Sequence, residues 1–213
     1  MSRIAWIAAA YAAGTIPSPY LVALIGGRPD VIAEMRRGES PGDAHFLVVK
    51  KMSRQLGIAA IVLDIIKGFV PALIARTSGQ DAATLAWVGL AGVAGHCYPP
   101  YFRRSGGRGL TTAAGVSLAI IPKAMIGSGI IALTGTLTRR GGFGTSIGFG
   151  LLTGFAAIFG YDGALIVMAG AITALIALRR LEGAGEDRRA GIPVRRIVLS
   201  RLLFDLPRGK HDL

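Results

Sequence analysis

The sequence predicts an all-α integral membrane protein with seven transmembrane helices, and two observations support this fold class. The first is composition: mean hydropathy is +0.53, and 52% of the 213 residues are hydrophobic whereas only 17% are charged. These values are far from those of a soluble domain. The second is the placement of basic residues, which outnumber acidic residues by 24 to 12 and gather between the apolar segments.

Seven apolar segments are present, and five of them approach the ~20 residues that a helix needs to cross a bilayer. They run over residues 4–25, 56–75, 82–98, 110–121, 124–138, 143–159 and 163–178. The first follows Arg3, as a signal peptide would, but it lacks a small-residue cleavage pattern and is predicted to be a retained helix. The fourth and fifth are short and meet at Pro122 and Lys123, so they form either one bent span or two short tilted helices.

Basic residues distinguish seven spans from six. With the N-terminus outside, seven spans place every large basic cluster on the cytoplasmic side, as the positive-inside rule requires. With six spans, Arg139, Arg140 and the C-terminal tail would lie outside. We therefore expect the N-terminus outside, with the functional loops and the C-terminus in the cytoplasm.

The excess of basic residues also constrains the partners. Nucleic-acid-binding domains do not carry this much uninterrupted apolar sequence, so no nucleic acid is expected. The anionic inner leaflet of the bilayer, or an anionic substrate, is the expected partner.

A polar loop lies between the third and fourth apolar segments. Its glycines let backbone N–H groups close on an anion, and its arginines supply a fixed, forked positive charge. The composition predicts a phosphate site at the membrane surface, although a flexible basic turn is the alternative. The residues concerned are Arg103, Gly106, Gly107, Arg108 and Gly109.

Two further features carry possible chemistry. Asp64 and Lys67 are three residues apart, so on a helix they share a face and neutralise one another. Such a pair inside a membrane span is either functional or an anchoring ion pair. The histidines are too scattered for a metal motif, and the single cysteine, Cys97, excludes a disulfide framework.

Four groups of residues resemble motifs of one membrane enzyme family. They are Gly14-Thr15-Ile16-Pro17 with Tyr20, Leu63-Asp64-Ile65-Ile66-Lys67-Gly68 with Pro71, Gly95-His96, and Gly106-Gly107-Arg108-Gly109-Leu110-Thr111-Thr112. Together they resemble the bacterial acyl-phosphate:glycerol-3-phosphate acyltransferases, in which lysine usually replaces Arg108. The resemblance covers about residues 11–186 and implies a multi-pass protein of the bacterial plasma (inner) membrane.

The sequence departs from this family in two places. In the first inside loop only Pro41 and Gly42 hold well to the family's Gly-Ser-Gly-Asn-Pro-Gly-Ala-Thr-Asn pattern, while Ser40 and His45 replace its two asparagines. A third motif, His-Arg-x-Asn-Ile before Gly-Thr-Glu, is mostly missing, and Glu186 stands for its glutamate. We therefore expect weakened or redirected activity, with the acyl donor bound better than glycerol-3-phosphate.

The resemblance implies transfer of a fatty acyl group from acyl-phosphate to the 1-hydroxyl of glycerol-3-phosphate, or to another phosphorylated acceptor. This reaction forms lysophosphatidate for phospholipid biosynthesis and requires no metal or organic cofactor. The candidate catalytic residues are His45, His96 and Ser40. The candidate substrate-binding and phosphate-binding residues are Arg103, Gly106, Gly107, Arg108, Gly109, Thr112, Asp64, Lys67 and Glu186.

Two other functions stay open: a family member that has lost catalysis and binds a lipid or a partner, and a small transporter or flippase that uses Asp64 and Lys67 at mid-span. Polar residues concentrate in the inside loops, which favours chemistry at the membrane surface. The chain is expected to comprise a seven-span domain, residues 1–186, and a tail, residues 187–213. From Val194 the tail has the pattern of a basic amphipathic helix on the inner leaflet, with a partly ordered solvated tail as the alternative.

Overall fold

The structure is a computed structural model that describes residues 1–37, 44–101 and 106–206. Within these ranges every regular element is a helix and none is a strand, which confirms the all-α prediction. The chain forms two compact units, Met1–Ile120 and Ile121–Leu213.

Among its described residues the first unit contains seven helices, and the fifth of them is the longest and lies at the centre. They are α1 (Arg3–Gly14), α2 (Ser18–Ile25), α3 (Pro29–Arg37), α4 (Ala44–Lys51), α5 (Arg54–Thr77), α6 (Ala82–Cys97) and α7 (Leu110–Ile120). Helix α5 begins after Ser53, whose hydroxyl accepts the N–H of Leu56 in the usual N-cap arrangement. It contacts α1, α2, α4, α6 and α7, so residues on its buried face are surrounded by the rest of the unit.

The second unit contains the remaining helices. They are α8 (Pro122–Leu137), α9 (Gly141–Ile158), α10 (Gly163–Leu181), α11 (Ala184–Arg189) and α12 (Val194–Val198), which continues as a π-helical turn (Leu199–Leu203). Helices α8 and α9 approach closely because glycines face each other across the contact: a Cβ on Gly144 would meet the Cα of Gly135 at 2.6 Å. Small residues are a usual means by which membrane helices pack together.

Among the described residues, three helical stretches are long and apolar enough to cross a membrane: Arg54–Thr77, Gly141–Ile158 and Gly163–Arg189. The pair α1 and α2 makes a fourth if it is counted as one bent span, while α6 and α7 are apolar but shorter. Residues 110–120 and 122–137 form two helices that are separated at Ile121, and both alternatives for the fourth and fifth segments stay open. The count of seven spans and their orientation stay predictions.

The first apolar segment differs from the single helix that the sequence predicts. It consists of α1 and α2, which are bent by 49° at the break between them. The break has a local cause, because Pro17 has no N–H to donate and disfavours helical backbone at Ile16. The bend also brings the backbone carbonyl of Ile16 to a charged residue of α5, described below.

Helix α4 is fixed against α5 by an apolar cluster at one end of the first unit. Val31 and Val48 are fully buried in this cluster, beside Val22 of α2 and Ala60 of α5. A guanidinium N–H of Arg28 also donates to the carbonyl of Lys51, at 2.6 Å, which ties the start of α3 to the end of α4. The side chains near the start of α4 are thereby held beside α5.

Buried arginines join the C-terminal elements of the second unit. Arg201, which is 1% exposed, pairs with the carboxylate of Asp187 and donates to the carbonyl of Glu182. Arg180 lies 3.0 Å from the carboxylate of Asp205. Within its described residues the tail is thus helical over 194–203, but one of its basic residues, Arg201, points into the protein interior. Whether the tail lies on the inner leaflet stays a prediction.

Candidate functional site

The centre of the candidate site is the carboxylate of Asp64 on α5, which is completely buried. The ammonium of Lys67 lies 2.7 Å from its Oδ1 atom. The ion pair that the spacing of these residues predicts is therefore present. Since an unpaired charge at such a position is very costly, each of the two groups makes burial of the other tolerable.

Two histidines meet at the same carboxylate. Nε2 of His45, from the start of α4, lies 2.8 Å from Asp64 Oδ2, and Nδ1 of His96, from the end of α6, lies 3.7 Å from Oδ1. Neither contact is predictable from spacing, because the helices come together only in the fold. The two sequence candidates for a proton acceptor thus share one carboxylate.

Thr111, which sequence reasoning did not single out, also reaches Asp64. Its hydroxyl lies 3.5 Å from Oδ2, the oxygen that His45 contacts. Its neighbour Thr112 was the predicted hydroxyl donor, but Thr112 is fully buried, and within the described part of the chain its Oγ1 atom has no hydrogen-bond partner. The sequence marks Thr111 only as a member of the Gly106–Thr112 motif. Neighbouring residues of a helix point in different directions, so the packing of α7 decides which of the two threonines faces the carboxylate.

Lys67 makes a second contact that its predicted role did not include. Its ammonium donates to the carbonyl of Ile16 at 2.6 Å. That carbonyl lies at the break between α1 and α2, where it also accepts the N–H of Ser18 at 3.1 Å. Lys67 therefore connects the bend of the first segment to Asp64.

The polar loop, which we call the glycine loop and whose described part is residues 106–109, packs against the end of α6. The N–H of Gly107 donates to the carbonyl of His96 at 3.2 Å, and a Cβ on Gly107 would overlap the imidazole of His96 at Nε2. A Cβ on Gly106 would likewise overlap the carbonyl of Cys97. Gly109 has a φ of +88°, a left-handed conformation that glycine adopts without strain, and α7 begins at the next residue.

Gly107 therefore does more than leave its backbone open to an anion. A Cβ at this position would displace the imidazole of His96. The glycines allow another group to come close to the backbone, and at Gly107 this group is the imidazole of His96. The start of α7 is a helix N-terminus, which in general stabilises an anion.

The other predicted residues are distributed as follows. Arg108 is partly buried beside the loop, and Glu186 is exposed on α11 in the second unit. Ser40 and Arg103 lie outside the described residues. Among the residues that the structure does describe, no group of three or more His, Cys, Asp and Glu side chains is arranged to hold a metal ion.

The Asp64 cluster consists of Asp64, Lys67, His45 and His96. It lies next to the glycine loop. A buried carboxylate that accepts an imidazole N–H fixes the tautomer and the orientation of the ring. The loop and the start of α7 offer donors for a negatively charged ligand. This arrangement is suited to moving a proton beside an anionic substrate.

Known proteins resemble this chain in both sequence and fold. The family profile described as glycerol-3-phosphate acyltransferase matches residues 4–184. A glycerol-3-phosphate acyltransferase of Pseudomonas putida is 36% identical over 138 residues, which make up 63% of this chain and 70% of the relative.

Two crystal structures of PlsY, an integral membrane glycerol 3-phosphate acyltransferase, share the fold. The glycerol 3-phosphate form has a TM-score of 0.76 and 30% identity, and the match covers 89% of this chain and 94% of PlsY. The lysophosphatidic acid form has a TM-score of 0.74 and 27% identity, with coverage of 93% and 100%. These matches, together with the apolar helices, confirm a multi-pass, all-α integral membrane protein. The chain belongs to the glycerol-3-phosphate acyltransferase family.

Proposed function

We propose that this protein transfers a fatty acyl group from acyl-phosphate to the 1-hydroxyl of glycerol-3-phosphate, forming lysophosphatidate for phospholipid synthesis. The observation that carries the proposal is the Asp64 cluster beside the glycine loop, in a chain that belongs to this family. The relatives named for this activity, and the PlsY forms with glycerol 3-phosphate and lysophosphatidic acid, agree with it.

The reaction requires little covalent help from the protein. Acyl-phosphate is a mixed anhydride, so its phosphate is a good leaving group once the hydroxyl oxygen attacks the carbonyl carbon. The protein has to hold two phosphorylated substrates together, direct the hydroxyl and stabilise the developing negative charge. Groups for each task lie on or beside α4 to α7.

The phosphate-binding part of the site is proposed to be the glycine loop and the start of α7. The N–H groups of Gly106 and Gly109 are the proposed backbone donors, and Arg103 and Arg108 supply positive charge. Gly107, whose N–H donates to the carbonyl of His96, contributes by leaving space beside the backbone. Lys67, Thr112 and Glu186 stay proposed contacts. The ammonium of Lys67 contacts Asp64 and donates to the carbonyl of Ile16, and it adds positive charge to the proposed site.

The proton of the attacking hydroxyl passes to one of the histidines on Asp64. Both His45 and His96 contact Asp64, and neutral imidazole is the usual base near pH 7. Ser40, the third catalytic candidate, belongs to the same inside loop as His45. The fatty chain enters from the bilayer between helices, and the polar acceptor enters from the cytoplasm.

The membrane arrangement proposed for this activity has seven spans in the bacterial inner membrane, with the N-terminus outside. Residues 1–186 form the seven-span domain, and residues 187–213 form a basic tail on the anionic inner leaflet. The placement supports the chemistry, because the loop bearing His45 and the glycine loop then face the same cytoplasmic compartment as the acceptor.

Single cysteines introduced near Arg37, Arg104, Arg139 and Arg188 should all react with an impermeant thiol reagent from the cytoplasmic side. The background is Cys97→Ser, and Ser78→Cys is the control that should react only from the outside. Labelling at position 139 from the side opposite to position 104 would contradict the seven-span arrangement.

The activity itself is tested on purified full-length protein in detergent. Palmitoyl-phosphate is supplied with glycerol-3-phosphate and with a panel of phosphorylated polyols, and donor binding and acyl transfer are measured separately. We expect donor binding and transfer to at least one acceptor. An absence of donor binding would remove the enzyme proposal, whereas binding without transfer to any acceptor would identify a catalytically silent family member.

Arg108→Ala and Gly107→Ala should each weaken phosphate handling more than folding. Arg108→Ala removes a charge-assisted donor, which corresponds to roughly a tenfold loss in affinity for the phosphorylated substrate. Gly107→Ala displaces His96 and the loop together, so we expect a larger loss. Substrate affinity is measured beside the melting temperature in detergent. Gly150→Ala is the matched control, since a Cβ there meets no atom within 4 Å. Wild-type affinity in both loop variants would show that the loop is only a turn.

A further inference from the structure

We propose that Asp205 is a positioning residue for the use of the phosphorylated acceptor, and that it acts through Arg180 at the end of α10. The proposal rests on the acyl transfer proposed above. It concerns residues 194–206, which we call the C-terminal clasp. The match to the family profile ends at residue 184, before the clasp begins, so membership of the family assigns no role to this segment.

One guanidinium joins the clasp to two helices. Arg180 lies in the last turn of α10 and is 8% exposed. Its Nη1 donates to the hydroxyl of Ser146 on α9 at 2.7 Å and to the carbonyl of Leu202 at 3.0 Å. Its Nε lies 3.0 Å from the carboxylate of Asp205. Because a guanidinium is planar and its donors point in fixed directions, the partners in the clasp set the orientation in which Arg180 meets Ser146.

The clasp also packs directly against the start of α9. A Cβ on Gly142 would meet the carbonyl oxygen of Phe204 at 2.2 Å, and the rings of Phe204 and Phe143 lie 5.8 Å apart. The hydroxyl of Ser146 donates to the carbonyl of Gly142 at 2.7 Å. The first turns of α9 are therefore held by the clasp in two ways, through close packing and through Arg180.

A second arginine holds the clasp from the opposite direction. Arg201 of the clasp is 1% exposed, donates at 2.6 Å to the carbonyl of Glu182, which follows α10, and pairs with Asp187. Since removing a partner from a buried charge is strongly destabilising, this attachment holds the clasp permanently. Asp205 lies nearer the surface, with 18% of its side chain exposed. The attachment at Arg201 therefore supports stability, whereas the contact of Asp205 sets the orientation of Arg180.

The end of α10 is the place at which this chain departs from the family's third motif. The histidine and the asparagine of that motif have no counterpart here. In this chain the clasp contributes polar contacts that fix the same helix end. The loss of the motif is expected to weaken the use of glycerol-3-phosphate more than donor binding. The clasp therefore acts on the use of the acceptor, whose placement relative to the donor governs the rate of transfer.

Two substitutions in the full-length protein disturb the clasp by different routes. Asp205→Asn removes the charge that faces Arg180, and asparagine tolerates the left-handed backbone of this position, where φ is +54°. Gly142→Ala leaves Asp205 intact but pushes the carbonyl of Phe204 away from α9. Gly154→Ala is the matched control on the same helix, since a Cβ there meets no atom within 4 Å.

The experiment measures kcat and KM for the preferred acceptor and for palmitoyl-phosphate in detergent, beside the melting temperature. Asp205→Asn and Gly142→Ala should each raise KM for the acceptor roughly tenfold, below the 10²-fold that an ångström of misplacement can cost. Neither should change KM for palmitoyl-phosphate. A merely structural role would reduce the fraction of folded protein, which lowers kcat without moving either KM. Gly154→Ala should match the wild type in every value.

An unchanged acceptor KM in folded Asp205→Asn, or a fall in kcat that only follows the melting temperature, would overturn the proposal. Asp205→Asn decides alone if Gly142→Ala does not fold. Hydrogen–deuterium exchange tests the clasp without activity: Asp205→Asn should speed exchange over residues 142–146, and Gly154→Ala should not. Unchanged exchange would remove the clasp itself. An inactive wild-type protein whose exchange still responds would instead remove the proposed function, and the acceptor role with it, so the two failures are distinguishable.

Discussion

Asp64→Asn should reduce acyl transfer on the order of 10³–10⁴-fold, the scale that accompanies loss of a carboxylate that orients a catalytic imidazole. The substitution changes size very little, but it removes the charge that faces Lys67 at 2.7 Å and the acceptor that fixes His45. The measurement is kcat for transfer from palmitoyl-phosphate. Full activity in Asp64→Asn would show that the cluster only holds the helices together.

The same substitution also leaves the buried Lys67 without its counter-charge, which should destabilise the protein by about 3–5 kcal/mol. A double variant, Asp64→Asn with Lys67→Met, removes both charges and should recover much of this stability. It should not recover activity, since His45 still lacks its carboxylate. A double-mutant cycle on unfolding in detergent and on kcat therefore separates the structural role of the pair from its catalytic role.

Asp187→Ala should destabilise the second unit by about 3–5 kcal/mol, because it removes a carboxylate from Arg201 in the protein interior. Glu186→Ala is the matched control: it removes the same kind of charge one position earlier, but from an exposed side chain, and should change stability by less than about 0.5 kcal/mol. Unfolding in detergent, followed with proteolysis of the tail, gives both values.

This pair of variants also tests the resemblance-based assignment of Glu186. If Glu186 contacts substrate, Glu186→Ala should lower activity without lowering stability, whereas Asp187→Ala should lower stability first. Equal effects of the two substitutions on unfolding would contradict the buried network around Arg201.

Part of this organisation was predictable from local patterns. Apolar segment lengths indicate the helices, because a span needs ~20 residues, and i,i+3 spacing predicts the Asp64–Lys67 pair. The contact of His45 with Asp64 was not predictable, since the two are 19 residues apart on different helices and only the packing of α4 brings them together. Local spacing therefore gives pairs within one helix, whereas pairs between helices require the fold.

The glycine loop illustrates a second limit. Its composition indicates close approach of some group to the backbone, and the structure shows such an approach at Gly107. The sequence does not say which group approaches, and the nearest one is the imidazole of His96. In the first apolar segment, Pro17 indicates a break in the helix. The contact of this break with α5 was not predictable, because it is made by Lys67, which lies 51 residues from Ile16 in the chain.

The contact between Lys67 and Ile16 has a consequence for how the protein matures during synthesis. The first segment is synthesised before residue 67 exists, so at that stage the Ile16 carbonyl at its bend has only the N–H of Ser18. The charged donor arrives with α5, together with Asp64. We expect the nascent first segment to settle into its final bent shape only when α5 has joined it, so that the substrate site and the membrane insertion of the N-terminal half are completed in the same event.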